Sequence, residues 1–223
     1  MAWPGAPWGG HAGSPQAGHL LGQDGRVNTH AVATAESGQA LPILVGYRAT
    51  GKSTLAADLA RQLDCRWLDA DDAFEAAFCS SIARFITDRG EPAFRDAETA
   101  LLGDLLEQPD AVLSTGGGVV LRPENRRLLK RSGRPVVWLT APAAAIRRRL
   151  AADPSTSGRR PALAGGDVLD EVEQALAHRE RFYREVANGI FDTAAVQRDA
   201  LVTAVCRWLA EWRPLSAGGE AEQ

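Results

Sequence analysis

Residues 46–54 read Gly46-Tyr47-Arg48-Ala49-Thr50-Gly51-Lys52-Ser53-Thr54 and fit the phosphate-binding pattern G-x-x-x-x-G-K-[ST]. Residues 41–45, Leu-Pro-Ile-Leu-Val, precede it and read as a short buried strand. Residues 55–63 follow with leucines at helical spacing. Strand, glycine loop and helix is the order that phosphate binding requires. A helix N-terminus exposes unpaired N–H groups and a partial positive charge. Glycines let the N–H groups of the loop close around phosphate oxygens. Ala49, Thr50, Gly51, Lys52, Ser53 and Thr54 are therefore expected to bind ATP. Lys52 would reach the β and γ phosphates, and the Ser53 hydroxyl would hold Mg²⁺.

Outward from this loop, strands and helices alternate. Residues 66–71 read as a second strand ending in acids, and helical patterns follow over 71–79, 81–88 and 92–107. Residues 110–114 form a third strand, stopped by Gly116-Gly117-Gly118, and Pro123 opens a helix near its first turn. Residues 134–139 read as a fourth strand and 142–150 as a helix. Residues 153–166, rich in Pro, Ser, Gly and Arg, read as a mobile loop. A long helix over 167–186, a short strand over 190–192 and a helix over 198–212 complete the order. This alternation predicts an α/β fold of three layers: a five-stranded parallel sheet, helices on both faces and a mobile lid. Ligands in such folds bind beyond the C-terminal ends of the strands. The phosphate loop, Asp69/Asp71 and the glycine triplet all fall there.

The bulk properties narrow the partners. A chain of 223 residues can hold one domain with a full core. Its net charge of −3 does not attract nucleic acid. Cys65, Cys79 and Cys206 are odd in number and irregularly spaced, so a reducing cytoplasm and buried small side chains are expected for all three. No apolar run approaches the ~20 residues of a membrane span. A monomer is expected. Residues 1–40 are rich in Gly, Ala and Pro, lack any period and read as a disordered extension with no secretory signal. His11, His19 and His30 belong to it and are not read as metal ligands. The ordered domain is placed at 41–213, with a flexible tail over 214–223.

Several residues on the rim invite two readings each. Asp69 and Asp71 sit at alternate positions where a strand runs out. One carboxylate would sit near the metal and its waters, the other would accept a hydrogen bond from a substrate hydroxyl. Asp71 could instead cap the next helix. Arg95 lies in the first turns of a helix, where a cation is unfavourable unless an anion binds. The alternative is a solvated arginine paired with Asp96 or Glu98. Three successive glycines suit a close approach of backbone to ligand, against the plainer reading of a turn. Arg147-Arg148-Arg149 favours a helix C-terminus, and Arg159-Arg160 would arrive with loop closure. Arg126, Arg127, Lys130 and Arg131 read as an exposed helix face. Trp67 and Trp138 read as core.

In this order the motifs resemble the shikimate kinases. The likeness runs from Leu41 to Trp212 and rests on Gly51-Lys52-Ser53-Thr54, Asp69-Ala70-Asp71, Phe94-Arg95-Asp96-Ala97-Glu98, Gly116-Gly117-Gly118, Arg160-Pro161-Ala162-Leu163 and Arg179-Glu180-Arg181-Phe182-Tyr183. The resemblance implies an enzyme that moves the γ-phosphoryl group of ATP to the 3-hydroxyl of shikimate, in the biosynthesis of chorismate and the aromatic amino acids. It implies that Asp71 holds the substrate hydroxyls and that Arg95 and Arg179 grip the carboxylate. Gly116, Gly117 and Gly118 would line the substrate, with Gly117 touching it through its backbone. Arg160 would swing in with the lid, Arg149 would lie by the adenine and Asp69 would order Mg²⁺ through its waters. Lys52, Asp71 and Arg160 are the implied catalytic set. Ala49 stands where the family usually has glycine. Val196 stands where a basic residue is often found, with Arg198 nearby. A gluconate kinase of the same fold and a non-catalytic nucleotide-binding module are the competing readings.

Overall fold

The computed structural model describes residues 40–152 and 168–214, with side chains in the second stretch described from Val172 onward. All of them belong to the unit Gln39–Gln223. Residues 1–39 of the expected extension (1–40), the expected lid with Arg159 and Arg160, and residues 215–223 of the expected tail (214–223) lie outside the described residues.

Five parallel strands carry the fold: β1 Ile43–Val45, β2 Arg66–Asp69, β3 Ala111–Ser114, β4 Val136–Thr140 and β5 Gly189–Asp192. They lie in the order β2-β3-β1-β4-β5. The helices are α1 Lys52–Gln62, α2 Ala70–Phe78, α3 Ile82–Leu106, α4 Pro123–Arg131, α5 Ala143–Ala152, α6 Val168–Val186 and α7 Arg198–Glu211. A 3₁₀ turn, Val119–Leu121, lies between β3 and α4.

The continuous apolar strands split their side chains by parity, because successive residues of a strand point to opposite faces. Ile43, Val45, Leu113, Val136 and Trp138 face a core shared with Leu102 and Leu105 of α3, Leu129 of α4 and Tyr183 of α6. Leu44, Val112, Val137 and Leu139 face the other way, onto Leu55 and Leu59 of α1 and Leu201, Val205 and Leu209 of α7. Burial on both faces is why these strands show no polar alternation. Each such leucine or isoleucine taken from water contributes about 1.5–3 kcal/mol.

Boundaries differ from expectation in informative places. β2 stops at Asp69, and Ala70 already begins α2. The Asp69 side chain accepts the Asp71 N–H at 2.9 Å, so the N-cap is Asp69. The reading of Asp71 as cap is thereby corrected. The two helical patterns around residue 90 form one run broken at Gly90, whose φ of 84° and ψ of 158° is open to glycine alone. Trp67 is 38% exposed and not core, because β2 is an edge strand. None of the three cysteines is fully buried: Cys65 and Cys206 are half-buried, and Cys79 is exposed where it ends α2 in a left-handed conformation. Arg126 leaves the exposed face expected of it. Its guanidinium lies over the Phe182 ring and donates to the Val120 and Leu121 carbonyls.

Candidate active site

The phosphate loop is shaped by its own backbone. Gly46 has φ 148°, and a Cβ there would fall 2.3 Å from the Leu139 carbonyl oxygen. Gly51 has φ 90° and leads directly into α1. Ala49 adopts φ 59°, a left-handed position that glycine fills without strain. Lys52 is buried and donates through Nζ to the Gly46 and Tyr47 carbonyls, both at 2.9 Å, so its ammonium lies folded over the loop. Thr50 donates to the Tyr47 carbonyl at 2.7 Å.

Beside the loop, three oxygens gather. The Ser53 hydroxyl donates to Asp69 Oδ2 at 2.6 Å, the Ser114 hydroxyl donates to the same oxygen at 3.1 Å, and the two hydroxyls stand 3.4 Å apart. They come from α1, β2 and β3, brought together because Asp69 pairs in register with Ser114 and Ser114 with Leu44. Such hard oxygens beside a phosphate loop fit Mg²⁺, which takes one or two protein oxygens and completes its shell with phosphates and water.

The glycine triplet lies among the phosphate loop, Arg95 and Arg179. A Cβ on Gly117 would stand 3.0 Å from the Arg48 nitrogen, and one on Gly118 would stand 2.6 Å from Arg95 Nη1. The Gly117 carbonyl accepts Tyr183 Oη at 2.7 Å and Arg179 Nη1 at 3.2 Å. Gly117 and Gly118 do lie in a turn, and the phosphate loop, Arg95 and Arg179 all come close to its backbone. Arg95 is partly buried and paired with Glu98 at 2.8 Å and Glu91 at 3.0 Å. Burial disfavours its charge, but Glu98 and then Glu91 outweigh that and hold its pKa above the usual arginine value. Of the partners expected for a solvated Arg95, Glu98 is one; Asp96 pairs instead with Arg122. Arg179 also lies over the Tyr47 ring, 5.1 Å from its centre.

A small cleft lies between α2, α3 and the triplet. Asp71, Phe74, Phe94, Glu98, Gly116 and Val119 line it. Arg149 donates to the Ala49 carbonyl at 3.2 Å and to Thr193 Oγ1 at 2.9 Å, joining the phosphate loop to the segment after β5. Val196 is exposed in that segment. Arg198 is turned away to Asp58 of α1, with contacts of 2.5 and 2.7 Å, and does not replace the basic residue that Val196 lacks. Arg147 pairs with Glu173, and His178 is exposed.

Ser114 escaped the sequence reading. A serine ending a strand has no signature, and its pairing with Asp69 depends on parallel register. Arg134 also escaped. Its guanidinium is buried and binds the carbonyls of Leu41, Gln108 and Ala111, a structural role at the far end of the sheet. Burial pushes its pKa down to about 10, which leaves it charged at neutral pH.

The strand order, the phosphate loop at the end of β1 and the acids at the end of β2 define a P-loop kinase of the doubly wound α/β class. Residues 48–210 match the family model described as shikimate kinase. The shikimate kinase of Rhodopirellula baltica is 40% identical over 164 residues, 74% of this chain and 87% of that protein. That of Oleidesulfovibrio alaskensis is 42% identical over 149 residues, 67% of this chain and 86% of that one. The solved shikimate kinase from Acinetobacter baumannii, in complex with shikimate, aligns with a TM-score of 0.72 at 28% identity, over 78% of this chain and 94% of that one. The chain belongs to the shikimate kinase family and is an ATP-dependent kinase.

Proposed function

We propose that this site transfers the γ-phosphoryl group of ATP to the 3-hydroxyl of shikimate through Lys52, Asp71, Arg95, Arg160 and Arg179. The observation that carries the reading is the convergence on Gly117 and Gly118. Two guanidinium groups, from α3 and α6, come close to consecutive residues, and the first of these, Gly117, also lies against the phosphate loop. An acceptor bearing a carboxylate and hydroxyls suits that arrangement, since guanidinium forks match carboxylate geometry.

Asp71, on the cleft wall, accepts the hydrogen bond of the attacking hydroxyl and takes its proton as the phosphoryl group moves in line. Lys52 leaves the Gly46 and Tyr47 carbonyls to neutralise the β/γ phosphates. Loop N–H groups of Ala49, Thr50, Gly51, Ser53 and Thr54 bind phosphate oxygens, with Arg149 on the nucleotide side and Arg160 supplied by the lid. Mg²⁺, held by Ser53 and by Asp69 through water, would offset charge on the phosphates when bound with the nucleotide. Action as a monomer in the cytoplasm belongs to the same proposal, and free Cys65, Cys79 and Cys206 support the reducing compartment. No helix among the described residues is long and apolar enough to cross a membrane.

Arg95→Ala or Arg179→Ala tests the assignment. Removing one partner of a buried charge pair costs about 2–5 kcal/mol. The kcat/KM for shikimate should therefore fall roughly 30-fold to several thousand-fold, with affinity for ATP little changed. Equal losses for ATP and shikimate would place the arginines on phosphate. A parent enzyme that phosphorylates gluconate and ignores shikimate in a coupled assay would overturn the substrate.

A further inference from the structure

The Asp69 carboxylate is held by three donors. The Asp71 N–H takes Oδ1 at 2.9 Å, while the Ser114 and Ser53 hydroxyls share Oδ2 at 3.1 and 2.6 Å. The three differ in freedom. The Asp71 N–H is fixed by the first turn of α2, and Ser114 is wholly buried in β3 between β1 and β2. Ser53 is exposed at the mouth of the phosphate loop. A hydroxyl that gives its proton to Asp69 turns both oxygen lone pairs away from that carboxylate. The direction in which it offers them depends on where Oδ2 stands, and the fixed donor on Oδ2 is Ser114.

We propose that Ser114 is a positioning residue: its buried hydroxyl pins Asp69 Oδ2 and so aims the Ser53 lone pairs at a nucleotide-bound divalent cation. The proposal rests on the reading of Ser53 and Asp69 as the Mg²⁺ side of the site. It assigns Ser114 no contact with nucleotide or acceptor. One carboxylate thus serves two ends, since its other oxygen caps the helix that carries Asp71.

The test measures ADP binding to the full chain by calorimetry, in Mg²⁺ and in EDTA, for the parent, Ser114→Ala, Ser53→Ala and the double variant. In EDTA, Ser114→Ala should bind ADP within about twofold of the parent. The tightening by Mg²⁺ should shrink about five- to tenfold, the scale of one lost hydrogen bond. Adding Ser114→Ala to Ser53→Ala should change the Mg²⁺ response no further, because Ser114 acts through Ser53. Ser114→Thr, which keeps the hydroxyl, should restore the response where its melting temperature matches the parent. Equal weakening of ADP binding with and without Mg²⁺ would reduce Ser114 to general packing and overturn the proposal. So would a full Mg²⁺ response in Ser114→Ala, or additive losses in the double variant. A parent whose ADP affinity ignores Mg²⁺ would overturn the cation reading itself, and the proposal with it.

Discussion

A methyl group at Gly118 would stand 2.6 Å from Arg95 Nη1, well inside contact distance. The backbone there is ordinary, so the glycine is required by the neighbour and not by the turn. Glu91 and Glu98 both pair with the guanidinium, so Gly118→Ala must shift its end within that ion triad. The KM for shikimate should rise roughly 3- to 30-fold, about 0.7–2 kcal/mol of misplacement, while the KM for ATP stays within a factor of two. Steady-state kinetics with each substrate varied checks this; a change confined to ATP would detach Arg95 from the acceptor. Ala49 gives the converse case. At φ 59° it carries left-handed strain that glycine relieves, but glycine also adds freedom to the unfolded chain. Its methyl group packs beside Tyr47, Ala145 and Ile146. Ala49→Gly should therefore stabilise by less than about 1 kcal/mol, read from urea unfolding, and leave kcat intact. These residue-level needs were only partly legible. The pattern marks Gly46 and Gly51 without saying that Gly46 lies against the Leu139 carbonyl. The spacing of Glu91, Arg95 and Glu98 did hold the ion triad, since i,i+4 and i,i+3 neighbours meet on a helix.

Among elements, α1 matters beyond its N-terminus, because whatever shifts it also shifts Lys52 and Ser53. Asp58, on its buried side, accepts from Arg198 at the start of α7 and from Arg61 one turn on. The hydrogen bond from Arg198 is the main cause that holds its carboxyl below the usual 3.8, with burial opposing and Arg61 assisting. A depressed pKa stabilises the fold above the unfolded value and loses that contribution as pH falls through the folded value. Asp58→Asn should lower the melting temperature at neutral pH, and the gap to the parent should close below about pH 4. Salt should narrow the gap as well, because the Arg198 side chain is largely exposed. Melting curves from pH 3 to 7 check this, and a gap independent of pH would assign the loss to packing. The strands and helices themselves were readable from apolar runs and leucine spacing. Their ends were not: α2 begins one residue past β2 because Asp69 caps it, and a cap is decided by geometry that a carboxylate pair at i and i+2 leaves open.

At the scale of the whole molecule, the sheet and the rim were legible because parallel strands are apolar throughout and because the phosphate loop announces its own context. The convergence of Ser53, Asp69 and Ser114 was not, since it follows from strand order and register. The described residues begin at Ala40, and Arg134 ties the next ones to the sheet. Its buried guanidinium binds the Leu41 carbonyl at 2.9 Å, while the Pro42 carbonyl accepts the Leu113 N–H at 3.0 Å. Neither Leu41 nor Pro42 belongs to a strand, yet both close hydrogen bonds at the lower edge of the sheet. A chain spanning 40–214 keeps every core residue named above and both carbonyls. It should melt with the full-length chain and keep its kcat/KM for shikimate and ATP. A chain spanning 43–214 keeps the phosphate loop and all of β1 but strips Arg134 of a partner and leaves the Leu113 N–H unpaired. A buried polar group without its partner costs about 1–3 kcal/mol, so the two together should remove roughly 3 kcal/mol. At about 2–4 °C per kcal/mol for a chain of this size, the melting temperature should drop by roughly 6–12 °C. Arg134→Met in the 40–214 chain should lower the melting temperature too, and combining it with the shorter start should add mainly the cost of the unpaired Leu113 N–H. Equal melting temperatures for the 40–214 and 43–214 chains would mean that Arg134 does not anchor the entry to the sheet. Loss of activity on removing residues 1–39 would instead bring that segment into the working enzyme.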